Sequence, residues 1–345
     1  MELPDRLSGT LYGLAYGDAV SFPSLFHRFH LLPAKRHDFL WETNKRLDQE
    51  HILPLALPFT HRQAESTLEP APTDDTEYAL FTLEALLELA PRPDLDGLLD
   101  IWRARLMSRR DDVYTRFSER AALDNLARGL TPPATGNDNP LHYEDAAATR
   151  AVAIGLFFAG DPNTAAAFAA DEAAISQSED GIWGAQAVAA ATAALLRGDS
   201  IDAAIELAQQ YFPTGSWIAT EWAKARSALK EATSLSELSL LLSQRVINNV
   251  YSFGNAAPET VPAAFALLQM SGGATLEAVA GSCLIAKAAD SLPAMVGALC
   301  GAASGFTNRG RLWEEQLDTC RGVCLPFLRG VRLSHTVERL IEHIP

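Results

Sequence analysis

Apolar residues recur at three- and four-residue spacing along most of the chain. Thr76 to Ala90, TEYALFTLEALLELA, places Leu80, Leu83, Leu87 and Ala90 on one stripe of a helix. The same spacing predicts helices at about 5–19, 94–107, 113–128, 144–159, 163–176, 181–197 and 200–211. It predicts others at about 217–229, 235–247, 259–270, 275–288, 292–304 and 312–325. Strict alternation is nearly absent, and its best instance, VYSF at 250–253, is too short for a strand. Alanine and glycine on these helices allow close packing. The pattern predicts an all-α fold: a compact, single-domain, multi-helix globule spanning 1–345.

Two stretches break the helical pattern. Residues 21–72 carry Pro23, Pro33, Pro54, Pro58, Pro70 and Pro72, and residues 129–142 read GLTPPATGNDNPLH. Proline and glycine at this density interrupt helices, and loops of such length in a compact domain usually serve function. Neither resembles an interdomain linker, since Phe39, Leu40, Trp41, Leu55 and Leu57 thread the first and the second is short.

Charge narrows the partners. The 345 residues hold 28 Lys and Arg against 43 Asp and Glu, a formal net charge of −15, with 48% hydrophobic residues. That balance disfavours non-specific nucleic-acid binding and anionic membranes, though helix N-termini or metal ions would still let the chain hold an anionic small molecule. Glu2 and Asp5 stand where a signal peptide would be positive, and no run of about 18 uncharged apolar residues occurs. A cytoplasmic protein with no membrane span is expected. Cys283, Cys300, Cys320 and Cys324 lack a matching His or Cys pair for zinc and are expected as buried, reduced thiols. Cys320 and Cys324 are expected on one helix face.

The sharpest chemical signal is Thr73-Asp74-Asp75-Thr76 at the start of a predicted helix. Its carboxylates and hydroxyls are hard oxygen ligands that suit Mg²⁺, Mn²⁺ or Ca²⁺ rather than zinc. Ordinary helix capping needs only one such residue, so the doubled acid exceeds that need. Asp290-Ser291 opens another helix in the same manner. Asp18 after Gly17, Asp145 and Arg150 on the 144–159 helix, and Asn255 after Gly254 complete the candidates.

GTLYGLAYGDAVSFP (9–23), PTDDTEYAL (72–80), ETVPAAFALL (259–268) and KAADSLPAMVGALCGAASG (287–305) together resemble the ADP-ribosylglycohydrolase family. That family carries an N-terminal GxxxGDAxGxP segment, a TDDT motif, and a C-terminal DxD[ST] motif running into xxAGAxxGA. The four matches follow the family's order and span nearly the whole chain. The resemblance implies a single all-α domain whose two acid motifs cradle two Mg²⁺ ions. In the family those ions bind the ribose of ADP-ribose and position the water that cleaves a glycosidic bond. Thr73, Asp74 and Asp75 then resemble one half of a metal site, and Asp290 and Ser291 the other. Asp74 and Asp75 are the expected catalytic acids, with Asp75 orienting the water. Such carboxylates would steady an oxocarbenium-like transition state.

Three departures shape the functional expectation. The DxD[ST] motif reads Ala288-Ala289-Asp290-Ser291, so a methyl group stands where the first ligand acid belongs, beside Lys287. A Glu that many active relatives carry after the first motif falls at about Leu25, with His27 and His30 following. The family's GNGxxMR segment appears only as Glu144 to Arg150, EDAAATR, and its later TH as Ser176-Gln177. The loop 136–145 then offers substitute ligand contacts: Asn139, His142, Tyr143 and Asp145, alongside Asp18 and Asn255.

The leading expectation is a divergent, Mg²⁺-dependent hydrolase (one or two ions, with Mn²⁺ as an alternative). It would cleave a ribosyl glycosidic bond of an ADP-ribosylated protein or related nucleotide. The alternatives are a catalytically impaired protein that binds ADP-ribose or a nucleotide, and a nucleoside N-glycosidase on the same fold.

Overall fold

The computed structural model describes residues 1–24, 71–248, 255–307 and 310–344. Leu25, His27, His30 and the 250–253 segment lie outside the described residues. The described residues form sixteen α-helices and two isolated bridges. The bridges join Glu144 to Ala256 and Thr319 to Arg332. The all-α expectation holds.

The helices are α1 (Leu3–Ser24), α2 (Asp74–Leu89), α3 (Leu95–Arg105), α4 (Phe117–Ala127), α5 (Ala134–Asn137), α6 (Ala146–Phe157), α7 (Pro162–Ala173) and α8 (Asp180–Arg197). They continue as α9 (Ile201–Ala208), α10 (Trp217–Glu231), α11 (Leu235–Arg245), α12 (Ala257–Ser271), α13 (Thr275–Cys283), α14 (Ser291–Ser304), α15 (Gly310–Leu317) and α16 (Leu333–His343). None among the described residues is long and apolar enough to cross a membrane.

Helices α6, α8, α12 and α14 form the centre. Every residue of α6 is buried, and so are most of α8. A helix apolar all round belongs inside a core, whereas α16, apolar on one side only, lies across the surface. One continuous apolar cluster runs from Leu7 on α1 to Leu340 on α16.

The closest packing is between α1 and α14. Gly9, Gly13 and Gly17 recur every four residues on α1, and Gly297 and Gly301 stand four apart on α14. A Cβ at Gly13 would lie 2.1 Å from the Gly297 carbonyl oxygen, and one at Gly301 2.0 Å from that of Gly9. At Gly17 it would lie 2.0 Å from the Pro293 carbonyl oxygen. No side chain fits, so the backbones meet directly. Rising numbers on α1 meet falling numbers on α14, so the helices run antiparallel. The end of α1 is thereby fixed against the start of α14, and Asp18 is brought towards Asp290 and Ser291.

Three boundaries differ from the sequence expectation. The helix predicted over 312–325 stops at Leu317, so Cys320 and Cys324 do not share a helix face. Gly322 takes φ +64 between them, and the Glu77 carboxylate accepts the backbone N–H groups of Val323, Cys324 and Leu325. A helix would need those N–H groups for itself. The helix predicted to start at 113 begins at Phe117, because Tyr114 N–H donates instead to the Cys324 carbonyl. The strongly amphipathic α16 was not anticipated. All four cysteines are buried thiols.

Candidate functional site

Five acids converge where α1, α2 and α14 meet the 143–145 segment. Thr73 occupies the N-cap position of α2, yet its side chain caps nothing. Asp18 reaches across from α1 to do that work. Its carboxylate accepts from Thr73 N–H at 2.7 Å, Thr76 N–H at 3.0 Å, and the hydroxyls of Thr73 at 2.5 Å and Thr76 at 2.6 Å. The long-range cap frees Asp74 and Asp75 for other use. Ligand oxygens of Asp18, Asp74 and Asp75 lie within 4.8 Å of one another. Sequence reading had placed Asp18 among the ligand contacts; the structure puts it in the acid cluster itself.

Arg116, just ahead of α4, enters this cluster from the side. Its Nε donates to Asp74 Oδ2 at 2.9 Å, its Nη1 to Asp145 Oδ1 at 3.2 Å, and its Nη2 to Asp75 Oδ1. One guanidinium therefore binds three carboxylates with three different nitrogens. Glu119 orients it by accepting the Arg116 backbone N–H at 3.1 Å. Sequence reading missed Arg116, because its partners lie 42, 41 and 29 positions away and nothing local marks it.

The second half of the site is assembled by backbone pairing. Asp145 N–H donates to the Asn255 carbonyl at 2.8 Å, and Ala257 N–H to that of Tyr143 at 2.9 Å. Asn255 Nδ2 in turn donates to Asp290 Oδ2 at 2.6 Å. Asp145, Asn255, Asp290 and Ser291 thus come together as the sequence suggested. Ala288, the missing acid of the motif, is fully buried in the apolar cluster.

One predicted ligand contact, Asn139, is spent elsewhere. Asn139 donates both amide hydrogens to backbone, at 2.9 Å to the Ser118 carbonyl and 2.8 Å to that of Ser176. The Tyr143 ring meets His142 edge to face and lies tilted against Trp217. Arg150 likewise lies away from the acid cluster. It donates to Glu172 and Glu119, each at 2.7 Å, and to Ser176 Oγ at 2.9 Å, with Trp102 beneath it.

The electrostatics distinguish the acids. Burial and the neighbouring Asp74 charge push Asp18 up to about 7, against the pull of the Thr73 and Thr76 hydrogen bonds. Burial raises Asp75 well above the ordinary range despite Arg116. Burial also raises Asp145 to about 6, with Arg116 and the hydroxyls of Thr260 and Ser291 opposing it. Burial works against Asp74 too, but there Arg116 prevails and holds the carboxyl below its usual range. One guanidinium is too little positive charge for this many buried carboxylates.

One observation shows that the residues fit a divalent cation. Asp75 Oδ2 is buried, with Asp75 only 1% exposed, and has no hydrogen-bond partner. A buried carboxylate oxygen left so is costly unless a cation completes it. Its neighbours are carboxylates and threonine hydroxyls, a donor set that fits a hard ion such as Mg²⁺ or Mn²⁺.

Comparison with known proteins agrees with the motif reading. The family model for ADP-ribosylglycohydrolase matches residues 1–343. Among solved structures, one described as an ADP-ribosylglycohydrolase-related protein complex superposes with a TM-score of 0.63 at 17% identity. The match covers 99% of this chain and 98% of that one, and supports the fold. No curated protein matches the sequence. With the motifs in order, the helices in place and the family model spanning nearly every residue, the chain belongs to the ADP-ribosylglycohydrolase family.

Proposed function

We propose that this chain is a divalent-cation-dependent hydrolase that cleaves a ribosyl glycosidic bond, in an ADP-ribosylated protein or a related nucleotide. The observation that carries the reading is the buried group of Asp18, Asp74 and Asp75 with the unpartnered Asp75 Oδ2. Family membership supplies the reaction class, glycosidic hydrolysis. Asp18, Asp74 and Asp75 would hold the ion, Mg²⁺ or Mn²⁺, with Thr73 beside them and Asp290 and Ser291 on the facing side. Bound there, the ion would supply Lewis acidity towards water and the ribose oxygens.

The chain's own groups would do the rest. Asp75 Oδ2, free of protein partners, would face the ion, and through it Asp75 would orient the attacking water. Asp74, kept ionised by Arg116, would offset the positive charge that develops on the ribose. Asn255, anchored to Asp290, and Asp145 would line the ligand side.

We further propose that residues 1–345 act as one domain. Four buried thiols support a reducing compartment such as the cytoplasm.

A second reading is a binder that no longer cleaves. Burial of Ala288 in the apolar cluster favours it, since the acid that the motif expects has become part of the core. Hydrolysis of ADP-ribosyl-arginine and of a nucleoside panel, in Mg²⁺ and then in EDTA, separates the two. Turnover that stops in EDTA and in Asp75→Asn supports the enzyme. ADP-ribose binding by calorimetry with no turnover of any substrate overturns it in favour of the binder.

A further inference from the structure

Arg116 raises a question of space. Its side chain is 7% exposed and its three donor nitrogens each hold a different carboxylate, one oxygen apiece from Asp74, Asp75 and Asp145. A magnesium-sized ion requires near-octahedral oxygen ligation at about 2.1 Å. A guanidinium bridging three of these carboxylates fills the space between them with its own atoms and charge, so an ion cannot sit there as well. Unpartnered oxygens remain at Asp75 Oδ2, Asp145 Oδ2 and Ser291 Oγ, and of these only Asp75 belongs to the Asp18–Asp74–Asp75 group, the one close-set group of ligand oxygens among the described residues.

We infer that the Arg116 guanidinium is a resident cation of the acid cage, filling one cation place, so that the chain binds one fewer divalent ion than its oxygen ligands would otherwise support. The inference rests on the cation-dependent reading above. Two features fit a permanent occupant. Arginine keeps its charge at any working pH and presents a rigid planar fork, which a mobile ion cannot match. Its backbone is also held, through Glu119, whose other oxygen is fixed by Arg150. The Ala288 substitution agrees: with a guanidinium in one place, a further ligand acid would add charge without a cation to meet it.

Mn²⁺ titration of the whole protein tests this, with calorimetry for the number of sites and electron paramagnetic resonance for the bound fraction. The expected result is one Mn²⁺ per chain for the unaltered protein and two for Arg116→Ala. Because three acids then face one another, Arg116→Ala is purified in Mn²⁺. Its melting temperature is expected to rise with Mn²⁺ by more than that of the unaltered protein. If the single variant does not fold, Arg116→Met with Asp145→Asn removes cation and acid together and should again gain a site.

One ion in both proteins overturns the inference and leaves the hydrolase reading intact, as do two ions in the unaltered chain. No ion in the unaltered chain and one in Arg116→Ala supports the inference and overturns cation-dependent hydrolysis. No ion in either overturns both.

Discussion

Two buried arginines, 34 positions apart, meet acids in opposite ways. Arg150 on α6 faces Glu119, Glu172 and Ser176, and its ring of contacts closes. Arg116 faces Asp74, Asp75 and Asp145, and its ring stays open, with Asp75 Oδ2 unpartnered. The first arrangement holds helices together: Arg150 ties α6 to α4 and α7, with Trp102 of α3 beneath it. The second keeps Asp74 ionised and leaves Asp75 Oδ2 and Asp145 Oδ2 without partners. A buried ion pair with every partner in place is structural, and one with partners to spare is equipped to bind.

The largest expected effect tests the closed ring. Arg150→Met leaves Glu172 and Glu119 buried without their cation. It should cost about 3–5 kcal/mol in chemical denaturation, a large part of a typical domain's stability. A loss below about 1 kcal/mol would mean that the ring is not structural.

The open ring should respond in activity instead. Asp75→Asn removes a buried charge, so the denaturation midpoint should hold or rise. Turnover should fall by roughly 10²-fold or more, as expected when the group that positions the attacking water is lost. A folded Asp75→Asn with normal turnover would remove Asp75 from the chemistry.

A third prediction concerns pH. Burial raises Glu144, which holds Ser118 at 2.8 Å through the backbone N–H, to about 7. Its protonated form is favoured in the folded chain, so its stabilising contribution is full below about pH 4.5 and is lost as pH rises through about 7. In EDTA, stability should therefore fall between pH 5 and 8. Glu144→Gln, which keeps an acceptor for Ser118, should remove on the order of 2 kcal/mol of that fall. Denaturation curves at four pH values decide it, and an unchanged slope would count against the burial argument.

The smallest effect belongs to a surface pair. Arg245 meets Glu231 through two nitrogens at 2.6 and 2.9 Å, yet solvent screens both. Arg245→Ala should leave the melting curve where it was. A measurable loss would show that contact geometry, rather than burial, governs these pairs.

What sequence could show follows from the range of each interaction. Helix positions were legible because their signal, apolar spacing, is local. Thr73 to Thr76 and Asp290-Ser291 were legible for the same reason, each being a short run at a helix start. Arg116 and the capping role of Asp18 were not, since each acts across 29 or more residues. The end of α15 was missed because Glu77, over 240 positions away, takes the N–H groups a longer helix would use. Asn139 looked like a ligand contact because loop asparagines often are. Its amide instead joins two backbone segments.

The glycine seam between α1 and α14 bears on how this protein can change. Its contacts repeat every four residues, so a change of register between the two helices would move one along the other by about one turn, some 5–6 Å. No side chain can be inserted there, so the ends of α1 and α14 that carry Asp18 and Asp290 are held by backbone contact rather than by side chains that substitution could exchange. Asp145 is held differently, by backbone pairing to Asn255, so the two sides of the acid cluster are fixed by separate devices.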